Sequence, residues 1–215
     1  MNFSAVILAG GKSSRMGRDK ARLEVGGQPW LARQVQLARE SGATEVFISG
    51  RADTDYAAFG CRVLGDKFAG AGPLAGIERA LEVVSSSRLL VLAVDLPAMN
   101  AELLRWLGAD GGESLGAIPR LNGNIEPLAA FYPKTAWKTA AGLMETCWPV
   151  ERRARTRHVA PPLHFHAGSE TGTPSVKCFA EYCVESGLAR FVELPVDEAR
   201  CFANWNSPVD LPCLT

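Results

Sequence analysis

The feature that most constrains this chain is the apolar run Ala5-Val6-Ile7-Leu8 leading directly into Ala9-Gly10-Gly11-Lys12-Ser13-Ser14-Arg15-Met16-Gly17-Arg18-Asp19-Lys20. The apolar residues read as a buried first strand. A glycine pair at its end lets the backbone turn sharply and come close to a bound group. Lys12, Arg15 and Lys20, with Arg18 beside them, then fall within nine residues. A turn that offers backbone N–H groups and is trailed by cations suits a polyphosphate.

Two commoner phosphate loops fail on spacing. Gly11-Lys12-Ser13 looks like the end of a Walker A motif, but that motif needs a glycine where this chain has Val6, inside the strand. The dinucleotide fingerprint G-x-G-x-x-G fails as well, because the turn is Gly10-Gly11 and the next glycine is Gly17. On spacing alone, a glycine-rich βα turn with solvated cations stays open beside the nucleotide reading.

Beyond the loop the order is β-α-β. Pro29 is placed to open a helix with Leu31, Val35 and Ala38 on one face and Gly42 as its stop. Val46-Phe47-Ile48 and Cys61-Arg62-Val63-Leu64 read as the next buried strands, and Pro73 opens a helix whose inner face is Leu74, Ile77, Leu81 and Val84. Leu89-Leu90-Val91-Leu92-Ala93-Val94 is the most apolar run, predicted to be central, and it delivers Asp95 to its carboxyl end. This pattern predicts an α/β fold with a doubly wound, mostly parallel sheet.

In the second half the pattern changes. Asn100 can cap a short helix, and Gly116-Ala117-Ile118-Pro119 and Leu128-Ala129-Ala130-Phe131-Tyr132 flank the hairpin signal Asn122-Gly123. They predict an antiparallel element, the second strand half-buried. The stretch from 146 to 174 has weak periodicity and carries Arg152, Arg153, Arg155, Arg157, His158, His164 and His166. It reads as a long loop insertion in a single domain spanning 1–215. His164-x-His166 lacks a spaced carboxylate or cysteine partner, so a solvated loop is the better reading than a metal site. Ser175 is placed to cap a helix bearing Val176, Phe179, Ala180 and Cys183, and a last strand follows at Ala189–Leu194.

Composition excludes several classes. Lys+Arg and Asp+Glu are equal at 23 each, so no overall field draws nucleic acid or an anionic membrane. No apolar run approaches ~20 residues, and the first residues lack a basic leader, so a cytoplasmic protein is expected. Cys61, Cys147, Cys178, Cys183, Cys201 and Cys213 form no C-x-x-C pair, which favours reduced thiols over a disulfide framework.

The string L-A-G-G-x-S-x-R-M-G-x-D-K resembles the signature of the MobA-type molybdenum cofactor guanylyltransferases, within the nucleotidyltransferase superfamily. The resemblance implies that Leu8, Ala9, Gly10 and Gly11 wrap a nucleoside triphosphate, with Arg15 and Lys20 on its phosphates. Asp66, ahead of Gly72-Pro73-Leu74-Ala75-Gly76, matches a nucleotide-binding aspartate, although by itself it reads equally as a turn former. Ala93-Val94-Asp95-Leu96-Pro97 is similar to the metal-binding segment, which makes Asp95 a Mg²⁺ ligand as well as a catalytic and nucleotide-binding candidate. Asn204-Trp205-Asn206-Ser207-Pro208 resembles a segment whose asparagines reach the metal, and Asn206 reads equally as a helix cap. Glu126-Pro127-Leu128-Ala129-Ala130-Phe131-Tyr132 resembles an acceptor-side stretch to which no chemistry is assigned. The chain departs from the family at Ile48-Ser49-Gly50, where asparagine is common, and in the length of 146–174.

What the resemblance implies is transfer of GMP from GTP to molybdopterin, the organic part of the molybdenum cofactor, with release of pyrophosphate. Molybdoenzymes or cofactor-assembly proteins are the implied partners, with no nucleic acid and no membrane. Cytidylyltransferase relatives carry L-A-A-G, so Gly10 leaves room for a purine. The alternatives are a nucleotidyltransferase using CTP, or a sugar or polyol phosphate, and a non-catalytic GTP-binding accessory protein. An acceptor phosphate is already an anion near neutral pH and needs no general base, so catalysis would rest on charge neutralisation and in-line positioning.

Overall fold

The computed structural model describes residues 2–10, 24–25, 27–51, 53–68, 71–147 and 175–203. Its first strand, β1 (Phe3–Leu8), is flanked on both sides by parallel neighbours, β4 (Val46–Ser49) and β6 (Arg88–Ala93). Beyond β4 lies β5 (Arg62–Leu64), also parallel. Beyond β6 lies β9 (Ala129–Pro133), which runs antiparallel to it and to β7 (Gly116–Leu121), and β10 (Ala189–Glu193) then pairs parallel with β7. The order is β10-β7-β9-β6-β1-β4-β5. The expected parallel sheet with an antiparallel element in the second half is therefore present.

Each buried strand sends alternate side chains to opposite faces, which is why continuous apolar runs were needed. Ala5, Ile7, Ile48, Leu90 and Leu92 pack on one face with α1 (Trp30–Glu40) and α3 (Ala101–Asp110). Val6, Phe47, Leu89 and Val91 pack on the other with α2 (Pro73–Val83), α4 (Trp137–Cys147) and α5 (Val176–Glu185). Helices on both faces make the sheet doubly wound.

Local signals held at several ends. The Asn100 side chain accepts from Leu103 N–H at 2.8 Å and caps α3, and Ser175 caps α5 by accepting from Lys177 N–H at 3.1 Å. Asn122 and Gly123, at φ 49° and 80°, make the turn from β7 into the two-residue β8 (Asn124–Ile125). Cys61, Cys183 and Cys201 are free thiols.

Three expectations need correction, and two elements were not anticipated. The strand at Cys61–Leu64 is not buried throughout, because β5 ends the sheet and only Leu64 of its three residues is buried. Pro29 does not open the first helix; it ends β3 (Gln28–Pro29), paired with β2 (Glu24–Val25), and its ψ of 138° keeps it extended as the residue before Trp30. The strand at Leu128–Tyr132 is not half-buried, because β9 lies inside the sheet between β6 and β7 and every one of its residues is buried. Helix α4 was not anticipated, and neither was the 3₁₀ turn at Val196–Phe202. Most of the 146–174 stretch lies outside the described residues.

Candidate functional site

The chain runs from β1 outward to β4 and β5, then crosses back to enter β6 on the other side of β1. The sheet's switch point thus falls between the carboxyl ends of β1 and β6, where open α/β sheets bind ligands. Leu8, Ala9 and Gly10 leave β1 there, and Asp95 stands just past β6. Val94 N–H donates to the Leu8 carbonyl at 3.3 Å, so the two exits are tied together. On the other flank Ala9 N–H donates to the Ser49 carbonyl at 2.8 Å.

Asp95 is half-buried and is held by a turn that α1 fixes from below. Gln34 Nε2 donates to the Leu96 carbonyl at 2.8 Å, and Arg33 Nε donates to the Pro97 carbonyl at 3.0 Å. Neither residue was singled out from the sequence. A signal existed for Gln34, a polar side chain lying on the apolar face marked by Leu31, Val35 and Ala38 and itself 1% exposed.

Ser49 links the nucleotide turn to Asp66. Its hydroxyl donates to Asp66 Oδ1 at 3.4 Å. Protein mass around Asp66 pushes its carboxyl above the usual range; the Ser49 hydroxyl opposes this, and the nearby Glu78 charge adds to it. Gly76, in the first turns of α2, packs over the same serine: a Cβ there would stand 2.3 Å from Ser49 Oγ. Gly10 is different. Among the described residues a Cβ on it would meet only Gly50 C and Ser49 O, both at 3.9 Å, and its φ is not left-handed. None of the described residues crowds a methyl at Gly10.

Past β6 the same edge continues along β9 and β7. Ala93 N–H donates to the Leu128 carbonyl at 2.8 Å, extending the β6–β9 ladder toward Glu126. Burial alone pushes the half-buried Glu126 carboxyl above its ordinary value. Farther along, Arg120 pairs with Glu193 and lies 5.0 Å from the centre of the Phe191 ring.

The structure therefore brings Leu8, Ala9, Gly10, Asp66 and Asp95 to one edge. Gly11, Arg15, Lys20 and Asn206 lie outside the described residues. No group of three or more His, Cys, Asp or Glu converges on a metal site among the described residues. A cation with hard-oxygen preference that keeps several waters fits one carboxylate plus substrate phosphates, which is what Asp95 offers. A cavity of about 420 Å³ lined by Ser87, Lys134, Trp137 and Lys138 opens at the opposite edge, by the start of β6, and is no part of this site.

A doubly wound sheet with a glycine turn and a carboxylate at its switch point defines a nucleotide-handling α/β protein. Residues 5–159 match the MobA-like NTP transferase domain, and the chain belongs to that family of nucleotidyltransferases. It is 37% identical to a probable molybdenum cofactor guanylyltransferase of Opitutus terrae, covering 97% of this chain and 92% of that protein. It is 40% identical to the protein of that name from Pelotomaculum thermopropionicum, covering 98% and 91%. Among solved structures it resembles molybdopterin-guanine dinucleotide biosynthesis protein A of Archaeoglobus fulgidus, with TM-score 0.66, 20% identity, and 97% and 94% of the two chains covered. That likeness speaks for the fold.

Proposed function

We propose that this chain transfers GMP from GTP to molybdopterin, releasing pyrophosphate. The observation that carries the reading is the joining of the Leu8–Gly10 turn to the Asp95 turn at the sheet's switch point, through Val94 N–H and the Leu8 carbonyl. Support comes from relatives named molybdenum cofactor guanylyltransferase that are matched over nearly the whole chain. The whole chain is read as one domain with 146–174 as an insertion. No helix among the described residues is long and apolar enough to cross a membrane, and a cytoplasmic location goes with the reading.

In this proposal the loop residues Leu8 to Gly11 cradle the triphosphate, and Arg15 and Lys20 offset its charge as the acceptor phosphate attacks the α-phosphorus. Asp66 binds on the nucleoside side, and Asp95, with Asn206, is the oxygen donor for Mg²⁺. When bound, the metal neutralises phosphate charge and orients the triphosphate. The chain's own contribution is position: Gln34 and Arg33 hold the Asp95 turn, and Ser49 holds Asp66. None of the described residues crowds a methyl at Gly10, and in this reading its glycine makes room for a purine.

The test is pyrophosphate release from GTP with molybdopterin and Mg²⁺. Release with GTP and none with CTP is the expected result. Release with CTP alone would reassign the nucleotide, and GTP binding without any release would remove the enzymatic reading in favour of an accessory role.

A further inference from the structure

Glu126 is the group at the site edge that the proposed mechanism leaves unused. It sits on a turn fixed from four directions. Its N–H donates to the Pro119 carbonyl at 2.9 Å, and its carbonyl accepts from Ala129 N–H at 3.3 Å. Buried Tyr132 donates its hydroxyl to the Pro127 carbonyl at 2.9 Å, and the Leu128 carbonyl is bound by Ala93 N–H at 2.8 Å. A turn this well held presents its side chain at one place.

That place is on the same edge of the sheet as the Asp95 turn. Leu92 and Ala129 are the last paired residues of β6 and β9 on this edge; Asp95 lies three residues after the first and Glu126 three before the second. Adjacent strands therefore lead to two carboxylates on one edge of the sheet. Asp66 and Glu126 stand on opposite flanks of Asp95. Gly10, Ser49 and Asp66 occupy the β1–β4–β5 side, whereas Glu126 occupies the β9–β7 side. Among the described residues the Glu126 carboxylate has no hydrogen-bond or ion-pair partner, although it is half-buried. A partly desolvated carboxylate costs free energy unless something donates to it. An ionised carboxylate only accepts, through two oxygens that match a pair of parallel N–H donors.

An anionic phosphate would be repelled there, so the complementary part of the acceptor is its heterocycle. Resting on the reading that the acceptor is molybdopterin, we propose that Glu126 recognises the amino-pyrimidinone edge of the acceptor's pterin, taking hydrogen bonds from its ring N–H and exocyclic amino group. Guanine carries the same edge, but the placement of Glu126 away from the nucleotide flank assigns it to the acceptor.

The experiment is steady-state kinetics of pyrophosphate release on the full chain, comparing wild type with Glu126→Gln. Hydrogen bonds to a charged group are worth enough that the acceptor KM should rise about tenfold or more. The GTP KM and the kcat should stay within about twofold of wild type, an expectation set by the flank assignment. A second arm measures inhibition by pterin and by lumazine, in which an oxo group replaces the exocyclic amino group. Wild type should prefer pterin, and Glu126→Gln should lose that preference. A purely structural role would not move it.

An unchanged acceptor KM, a rise in the GTP KM instead, or an unchanged pterin preference would each overturn the proposal. So would a raised Mg²⁺ requirement as the sole effect. If Glu126→Gln does not fold, Glu126→Asp, which keeps the charge one methylene shorter, should show the same acceptor-specific KM rise, and wild-type kinetics there overturns the idea. Absence of transfer in the wild type would instead sink the guanylyltransferase reading, so the two failures are distinguishable.

Discussion

Gln34 carries an amide into the apolar face of α1, and its bond to the Leu96 carbonyl determines how firmly Asp95 is held. Gln34→Leu fills similar space but leaves that carbonyl unanswered, which costs about 1–3 kcal/mol. Melting by calorimetry should fall accordingly, and kcat should fall with it because the Asp95 turn loses a support. A variant that melts lower but keeps wild-type kcat would separate the turn from catalysis. Asp95→Asn makes the complementary case: turnover should be abolished with the melting temperature nearly unchanged, and normal pyrophosphate release would remove Asp95 from the site. Gly76 tests the nucleotide flank. Its missing Cβ makes room for Ser49, so Gly76→Ala should cost about 1–3 kcal/mol through overpacking. Ser49→Gly removes the clashing atoms, and the double variant should recover most of that loss. A strictly additive double variant would show that the two do not touch.

At the scale of elements, the strands and capped helices were legible because their signals are local. β1 and β6 are buried on both faces, so their unbroken apolar runs announce them, and Asn100 and Ser175 cap by contacts within three residues. Helix α4 was not legible. It starts from the 3₁₀ turn Lys134–Ala136 without a side-chain cap, and its buried face uses Ala140, Leu143 and Met144, a sparse pattern. Of the site, the exits of β1 and β6 could be read in advance, while the contacts of Gln34, Ser49 and Glu126 could not. Their roles come from neighbours distant in sequence. The same holds for Glu78, a 2% exposed carboxylate on the inner face of α2 that accepts from Trp137 Nε1 at 3.0 Å and pairs with Lys67 at 3.4 Å. Burial, outweighing Lys67, raises its carboxyl above 4.5. A folded-state value above the unfolded one means that stability is fully present below pH 4.5 and is lost as pH rises through the folded value. Glu78→Gln mimics the protonated form, so its melting temperature should equal wild type below that pH and match or exceed it at neutral pH. A variant clearly less stable than wild type at pH 7 would mean that the Lys67 and Trp137 contacts outweigh burial.

For the whole molecule, one edge of the sheet gathers the carboxyl ends of β1, β4, β5 and β6, so a nucleotide bound there would bridge segments distant in sequence. Binding of this kind stabilises the native state by mass action. With equal totals of 23 cationic and 23 anionic side chains, no net field assists association, and discrimination between nucleotides must come from contacts at the edge. GTP at 100 times its dissociation constant, with Mg²⁺, should stabilise by about 2.7 kcal/mol. For a chain of this size that is a rise in melting temperature of roughly 5–10 °C. CTP at the same concentration should give a smaller rise, and Gly10→Ala should narrow the gap while leaving the unliganded melt unchanged, because none of the described residues crowds the methyl. Asp95→Asn should retain a shift with GTP alone and lose the additional part that Mg²⁺ brings. Equal shifts for GTP and CTP in the wild type would detach base choice from Gly10, and a lower unliganded melt for Gly10→Ala would show that the fold, not the ligand, requires the glycine.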